Sequence, residues 1–145
     1  MRSFHIGFTG TRTGMTDKQK SYLQEFLESI ITVCQFHHGS CIGADKEASD
    51  IAVILGMEII VHPPLDKKNM APCTGKEVRE PKSYGIRDRD IVDESDWLIA
   101  TPKGFNEELR SGTWQTVRYA RKVNRKTMII YPDGTTVIEN DKLSW

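Results

Sequence analysis

Cysteine is scarce, with three residues in a chain of 145. They stand at 34, 41 and 73, an odd count without CxxC spacing, which excludes a disulfide scaffold and predicts free thiols in a reducing compartment. Net charge is missing too: 20 Lys and Arg balance 20 Asp and Glu. That balance argues against a protein that coats polyanions in the manner of a histone. The longest apolar run, Ile51 to Met57, contains a glycine. It falls far short of the roughly 20 residues that span a bilayer. No GxxxxGK[ST] string, no GxGxxG followed by an acidic residue and no GxSxG occur. These absences exclude a P-loop nucleotide triphosphatase, the usual dinucleotide fingerprint and an elbow-type triad hydrolase. The chain enters alternating apolar residues at Phe4 without the order of a signal peptide, so the expected location is cytoplasmic, with no membrane partner.

What is present suits one compact domain over residues 1–145. Hydrophobic residues make up 38% and charged residues 28%, enough apolar side chains for a core. Residues 4–9 alternate as a strand and end in the turn-rich Thr9-Gly10-Thr11-Arg12-Thr13-Gly14. Thr16 and Gln19 then form a capping-box signature, and Leu23, Phe26, Leu27, Ile30 and Ile31 repeat at helical spacing. Strand-like 32–37 leads through Gly39 and Gly43 into a second helix with Ala44, Ala48, Ile51, Ala52 and Leu55 inward. A third strand, 58–62, stops at Pro63-Pro64. Residues 65–82 show no period and are expected to form a functional or mobile loop, such as a lid. A helix over 83–95 with Ile86, Ile91 and Val92 inside precedes a strand at 97–100. A further helix opens near Gly112, with Trp114 in the core, before a strand at 126–131 and a turn at Asp133-Gly134. This alternation predicts an α/β fold: one Rossmann-like domain, a mainly parallel five-stranded sheet and helices on both faces.

Ligands of open α/β sheets sit beyond the carboxyl ends of the strands. The first strand delivers Gly10, Thr11 and Arg12 there, the second Gly39, Ser40, Gly43 and Asp45, and the third His62 and Pro63. The fourth delivers Pro102, with Arg110, Ser111, Gly112 and Thr113 ahead of the last helix. Glycine and hydroxyl residues at helix starts suit phosphate, because unpaired N–H groups and the helix dipole attract an anion. Arg12, Arg87 and Arg110 offer planar guanidinium groups for bidentate phosphate recognition. His37, His38, Cys41 and His62 match no common zinc spacing, so neither metal nor cofactor is expected. Asp88, Asp90 and Asp93 read as solvent-facing helix charges.

The strings GFTGTR at 7–12, HGSCIGAD at 38–45, VHPP at 61–64, YGIRDRDIVDESDWLIATP at 84–102 and RSGTWQTVRYARK at 110–122 together resemble the SLOG superfamily. These are Rossmann-like nucleotide-binding domains related to the LOG phosphoribohydrolases and to the DNA-processing protein DprA, and the chain is most similar to a small stand-alone branch. The resemblance spans residues 4–131. It implies a parallel sheet with a nucleotide-derived ligand over the glycine-bearing loops, and a homo-oligomer, dimer or larger. In LOG enzymes an Arg and the Glu of GGxGTxxE are implicated in cleaving the N-glycosidic bond of nucleoside monophosphates. Arg87, nine residues before Asp96, is similar to that Arg. Gly112-Thr113 matches the Gly-Thr pair, whereas Thr116 stands where the Glu would be and Leu109-Arg110 replace two glycines.

A hydroxyl does not supply the charge that stabilises an oxocarbenium-like centre. The leading expectation is therefore a sensor or sequestering protein for a signalling nucleotide, phosphates on Gly10-Thr11-Arg12 and Gly112-Thr113. An N-glycosidase using Arg87, with Glu107, Glu108, Asp45 or Asp90 as the carboxylate, is the alternative. A single-stranded DNA binder comes third, because the basic residues 118–126 at a helix end are more simply a solvated face, and nucleic acid is disfavoured.

Overall fold

The computed structural model describes residues 3–30 and 34–141. Ile31, Thr32 and Val33, assigned above to the end of a helix and the start of a strand, lie outside the described residues. In chain order the elements are β1 (Phe4–Gly10), α1 (Asp17–Ser29), β2 (Cys34–His38), α2 (Ala44–Ile54), β3 (Glu58–Val61) and β4 (Glu77–Val78). Then follow α3 (Tyr84–Asp93), β5 (Trp97–Thr101), α4 (Gly112–Lys122), β6 (Lys126–Ile130) and β7 (Thr136–Glu139).

The strands pair in the order β4-β3-β2-β1-β5-β6-β7, parallel except for β7, which runs antiparallel to β6. The α/β architecture with helices on both faces is as expected, but the sheet has seven strands among the described residues rather than five. β4 is two residues long and too short to carry a periodic signal, and it pairs with β3 inside the stretch expected to be a loop. β7 follows the Asp133-Gly134 turn, where Gly134 takes φ +85° and the Asp133 carboxylate accepts from the Thr135 N–H and hydroxyl.

Strand alternation divides the core in two. On one face Ile6, Phe8, Phe36, Ile99 and Ile130 pack with Leu23 and Leu27 of α1 and Ala44, Ala48 and Ala52 of α2. On the other, Leu98 and Ile129 meet Ile91 and Val92 of α3 and Trp114, Val117 and Ala120 of α4. Ile86 does not join this core: it is 53% exposed, and the neighbouring Arg87 turns inward at 6%.

The capping box at Thr16 forms as expected. Gln19, fully buried, also donates from Nε2 to the carbonyls of Pro102 and Ile130 at 2.8 and 2.9 Å. It thereby ties the start of α1 to the carboxyl ends of β5 and β6. Residues 65–82 run as a strap along the sheet edge and the β2 exit. Ser40 and Ala71 exchange two hydrogen bonds, the N–H of Ile42 donates to Asn69, and the N–H groups of Lys76 and Arg79 donate to Ile59 and Val61. No helix among the described residues is long and apolar enough to cross a membrane.

Candidate functional site

The strand order reverses between β1 and β5, and a cavity of about 550 Å³ opens beyond their carboxyl ends. This is where open α/β sheets place ligands. The exit of β1 supplies Thr9 to Thr13, α3 supplies Tyr84, Arg87 and Asp88, and the start of α4 supplies Ser111, Gly112 and Thr113. Lys103, Glu108 and Arg110 stand at the rim formed by the β5–α4 loop.

Local structure explains the arrangement. Thr11 donates its N–H to the Thr101 carbonyl and accepts from the N–H groups of Gly14 and Ala44, so the β1 loop is pinned to β5 and to the start of α2. Gly43 takes φ +84°, and a Cβ there would collide with the Arg12 carbonyl. Ser111 caps α4, its Oγ accepting from the Trp114 N–H at 3.3 Å. The N–H groups of Gly112 and Thr113 have no acceptor within the helix, and a side chain on Gly112 would meet open space. Arg12 and Arg110 are exposed and make no ion pair or side-chain hydrogen bond among the described residues. Lys103 lies 3.9 Å from Glu108.

Arg87 forms the inner wall. Its Nη1 donates to the carbonyl of Gly39 at 2.6 Å and its Nε to Asp88 Oδ1 at 2.6 Å. Nη2 approaches Cys41 Sγ at 3.7 Å, and the guanidinium lies over the Tyr84 ring at 5.4 Å. Asp45 accepts from the N–H groups of Gly39 and Cys41 at 3.1 and 3.3 Å. Burial pushes the Asp45 carboxyl up to about 6, against the lowering pull of Arg87 and of the two N–H groups. Burial likewise raises Asp88, against Arg87 and the Thr116 hydroxyl, and it raises the Cys41 thiol. One buried guanidinium thus sits among groups that ionise reluctantly.

Of the residues expected at the loop ends, the structure brings Gly10, Thr11, Arg12, Asp45, Arg110, Ser111, Gly112 and Thr113 to one cavity, together with Arg87 and Glu108. Gly39 lies behind Arg87, and Ser40 is buried in its bonds to Ala71. Gly43, His62, Pro63 and Pro102 do not line the cavity, and Glu107 pairs with Arg118 and Arg121 on the outside of α4. Asp90 pairs with Lys82. Asp88 was expected in solvent and is a cavity residue instead, because its ion pair with Arg87 holds it inward. Tyr84 and Lys103 had no sequence signal beyond their nearness to loops.

The His62 side chain belongs instead to a row of imidazoles. His5 Nδ1 lies 2.8 Å from His37 Nε2, and His37 Nδ1 lies 2.9 Å from His62 Nε2. Burial, reinforced by neighbouring imidazoles, lowers His37 to about 3 and His38 to about 3. Burial also lowers His62, to about 4, so these rings are neutral at neutral pH.

No family model matches the chain, and no curated protein matches it. Solved structures do. The molybdenum cofactor binding protein from the phototrophic bacterium Rippkaea orientalis superimposes with a TM-score of 0.69 at 20% identity, over 90% of this chain and 78% of that one. The structural-genomics target TM1055 gives 0.62 at 13% identity, over 88% and 72%. The single-stranded-DNA-binding DNA processing protein A from Helicobacter pylori gives 0.63 at 17%, over 87% of this chain and 64% of that one. The chain therefore spans under two thirds of the latter protein. These likenesses bear out the expected fold, a Rossmann-like α/β domain.

Proposed function

We propose that the cavity binds a phosphorylated, nucleotide-type small molecule, which the protein senses or sequesters. The observation that carries this reading is the pairing of two guanidinium groups without partners among the described residues, Arg12 and Arg110, with the free N–H groups at the start of α4 across one cavity. Cations without protein partners beside a helix N-terminus form an anion site. The cavity also falls within the range typical of small-molecule sites, about 300–1,000 Å³. Tyr84 offers an aromatic face on the same wall.

The basic residues of α4 and β6 support a small molecule over a nucleic acid. Arg118 and Arg121 bind Glu107, Arg121 also binds Glu139, and Lys126 binds Asp141, so three of the five cations over 118–126 face carboxylates, and Arg125 donates to the Ser95 carbonyl. Mass spectrometry of small molecules released by denaturing the purified protein tests the reading. A phosphorylated compound at near-stoichiometric yield supports it, and its intact recovery after incubation supports binding without turnover. Molybdenum cofactor belongs in the same panel, because the Rippkaea orientalis neighbour is described as binding it. Self-association, implied by the family resemblance, is part of the proposal, and sedimentation with and without ligand checks it.

Asp88 favours one second reading. Its carboxylate stands beside Thr116, which occupies the position where the LOG motif carries Glu and whose hydroxyl donates to the Gly112 carbonyl at 2.8 Å. A carboxylate is thus returned to the cavity from α3 rather than from α4, in contact with Arg87. Release of free base from nucleoside monophosphates, lost in Asp88→Asn, would establish N-glycosidase activity.

A further inference from the structure

We propose that His37, His62 and Glu94 form a site for one divalent transition-metal ion of the zinc class, separate from the cavity. Register places the imidazoles. His5 pairs with Gln35, Gly7 with His37, and His37 with Ile60, so His5, His37 and His62 fall on one face, each two positions further along than its neighbour's partner. They form a diagonal row under α3. Glu94, the C-terminal cap of α3, brings Oε1 to 4.0 Å from both His37 Nδ1 and His62 Nε2.

A carboxylate 4.0 Å from two nitrogens is out of hydrogen-bond reach of either. It is well placed for a shared ion. The three donor atoms form a triangle with sides of 2.9, 4.0 and 4.0 Å, and the in-plane point equidistant from them lies about 2.1 Å from each. Zinc takes His nitrogen and carboxylate oxygen at about 2.0–2.2 Å. Tetrahedral donors at that bond length stand roughly 3.3 Å apart, a spacing that the observed sides bracket, so rotations moving each atom by about half an ångström complete the geometry. Two imidazoles and one carboxylate leave a fourth position for water.

The outer contacts match. With Nδ1 of His37 on the ion, its Nε2 carries the proton, and His5 Nδ1 stands 2.8 Å away to accept it. Arg79 donates from Nε and Nη2 to Glu94 Oε1 at 3.1 and 2.7 Å, which holds the carboxylate in place. His37 and His62 are buried, while Glu94 is 34% exposed and opens the entry path. An ion here would clamp the end of α3 to β2 and the β3 exit, and α3 carries Arg87 and Asp88 into the cavity.

The test is titration of tag-free, chelator-dialysed full-length protein with cobalt(II), read by its visible spectrum, and with zinc by calorimetry and thermal shift. The expected result is one ion per chain with a dissociation constant in the micromolar range or below, the cobalt spectrum of a nitrogen–oxygen site, and a raised melting temperature. Glu94→Gln should weaken binding at least tenfold, His62→Gln should abolish it, and His5→Ala should weaken it about 10- to 100-fold. No ion bound at 100 micromolar metal, on the order of the weakest site worth the name, would overturn the proposal. So would a thiolate-type cobalt spectrum, or binding unchanged in Glu94→Gln, a partly exposed position whose substitution leaves the core intact even if His62→Gln fails to fold. None of these outcomes bears on the ligand of the cavity.

Discussion

Arg87 and Gly39 occupy each other's space: the guanidinium donates to the Gly39 carbonyl at 2.6 Å and fills the volume a side chain on residue 39 would need. Glycine at 39 admits the arginine, and the arginine in turn closes the inner wall of the cavity. Gly39→Ala should therefore push the guanidinium away from the Gly39 carbonyl and destabilise the protein by about 1–3 kcal/mol. Urea denaturation measures this, with cavity ligand affinity falling in parallel.

Removing the cation is expected to cost more. Arg87→Met leaves the buried carboxyls of Asp45 and Asp88 without their counter-charge, and loss of one member of a buried pair costs about 3–5 kcal/mol. Arg87→Lys should recover little, because Nε and Nη1 serve Asp88 and Gly39 in different directions and an ammonium cannot reach both. Equal stability of the Lys variant and the native protein would contradict this account of the wall.

Gln19 joins a local cap to a long-range tie. Gln19→Ala removes the reciprocal cap on the Thr16 N–H and strands the carbonyls of Pro102 and Ile130, for an expected loss of about 2–4 kcal/mol. Gln19→Glu keeps the cap but turns a donor toward two carbonyls into an acceptor, so it should be no more stable than the Ala variant. Thermal unfolding of the two variants side by side checks both statements.

Asp45 gives stability a pH dependence of definite sign. Its carboxyl is raised from 3.8 to about 6 in the folded state, facing Arg87, Asp88 and the N–H groups of Gly39 and Cys41. Between those values the folded chain holds a proton that the unfolded chain has lost, so this group's contribution falls as pH rises through the window. The stability of Asp45→Asn minus that of the native protein should therefore climb by about 2–3 kcal/mol from pH 4 to pH 7, the histidine contributions cancelling in the difference. A flat difference would mean that Asp45 ionises normally.

The parts of the fold legible in the sequence were those written in local patterns. Thr16-x-x-Gln19 announces a capping box, and the spacing of Leu23 and Leu27 announces the buried stripe of α1. The two carbonyls that Gln19 also holds are 83 and 111 residues away and leave no local trace. Ile86 is exposed against expectation because apolar patterning assigns the inside to isoleucine, whereas the inward position, lined by a carbonyl and a carboxylate that a cation satisfies, is taken by Arg87. Asp88 follows it inward. The loop ends that converge on the cavity were legible from strand order alone, but the glycines there serve a different purpose from the one expected. Gly39 and Gly43 make room for Arg87 and the Arg12 backbone, and of the glycines at the cavity Gly112 is the one facing open space. The histidine row depends on strand register, which spacing along the chain does not reveal.

The measurement closest to the central claim is a calorimetric and thermal-shift comparison of the native protein with the double variant Arg12→Ala, Arg110→Ala. The panel is nucleoside mono- and diphosphates, cyclic nucleotides and ADP-ribose-type compounds. Both substituted side chains are exposed and unpaired among the described residues, so the fold should keep its stability within about 0.5 kcal/mol. At least one phosphorylated compound should raise the melting temperature of the native protein, and the double variant should bind it at least tenfold more weakly, a loss of ~1.4 kcal/mol. A panel without any stabilising phosphorylated compound, or one bound equally well by the variant, would contradict the central claim.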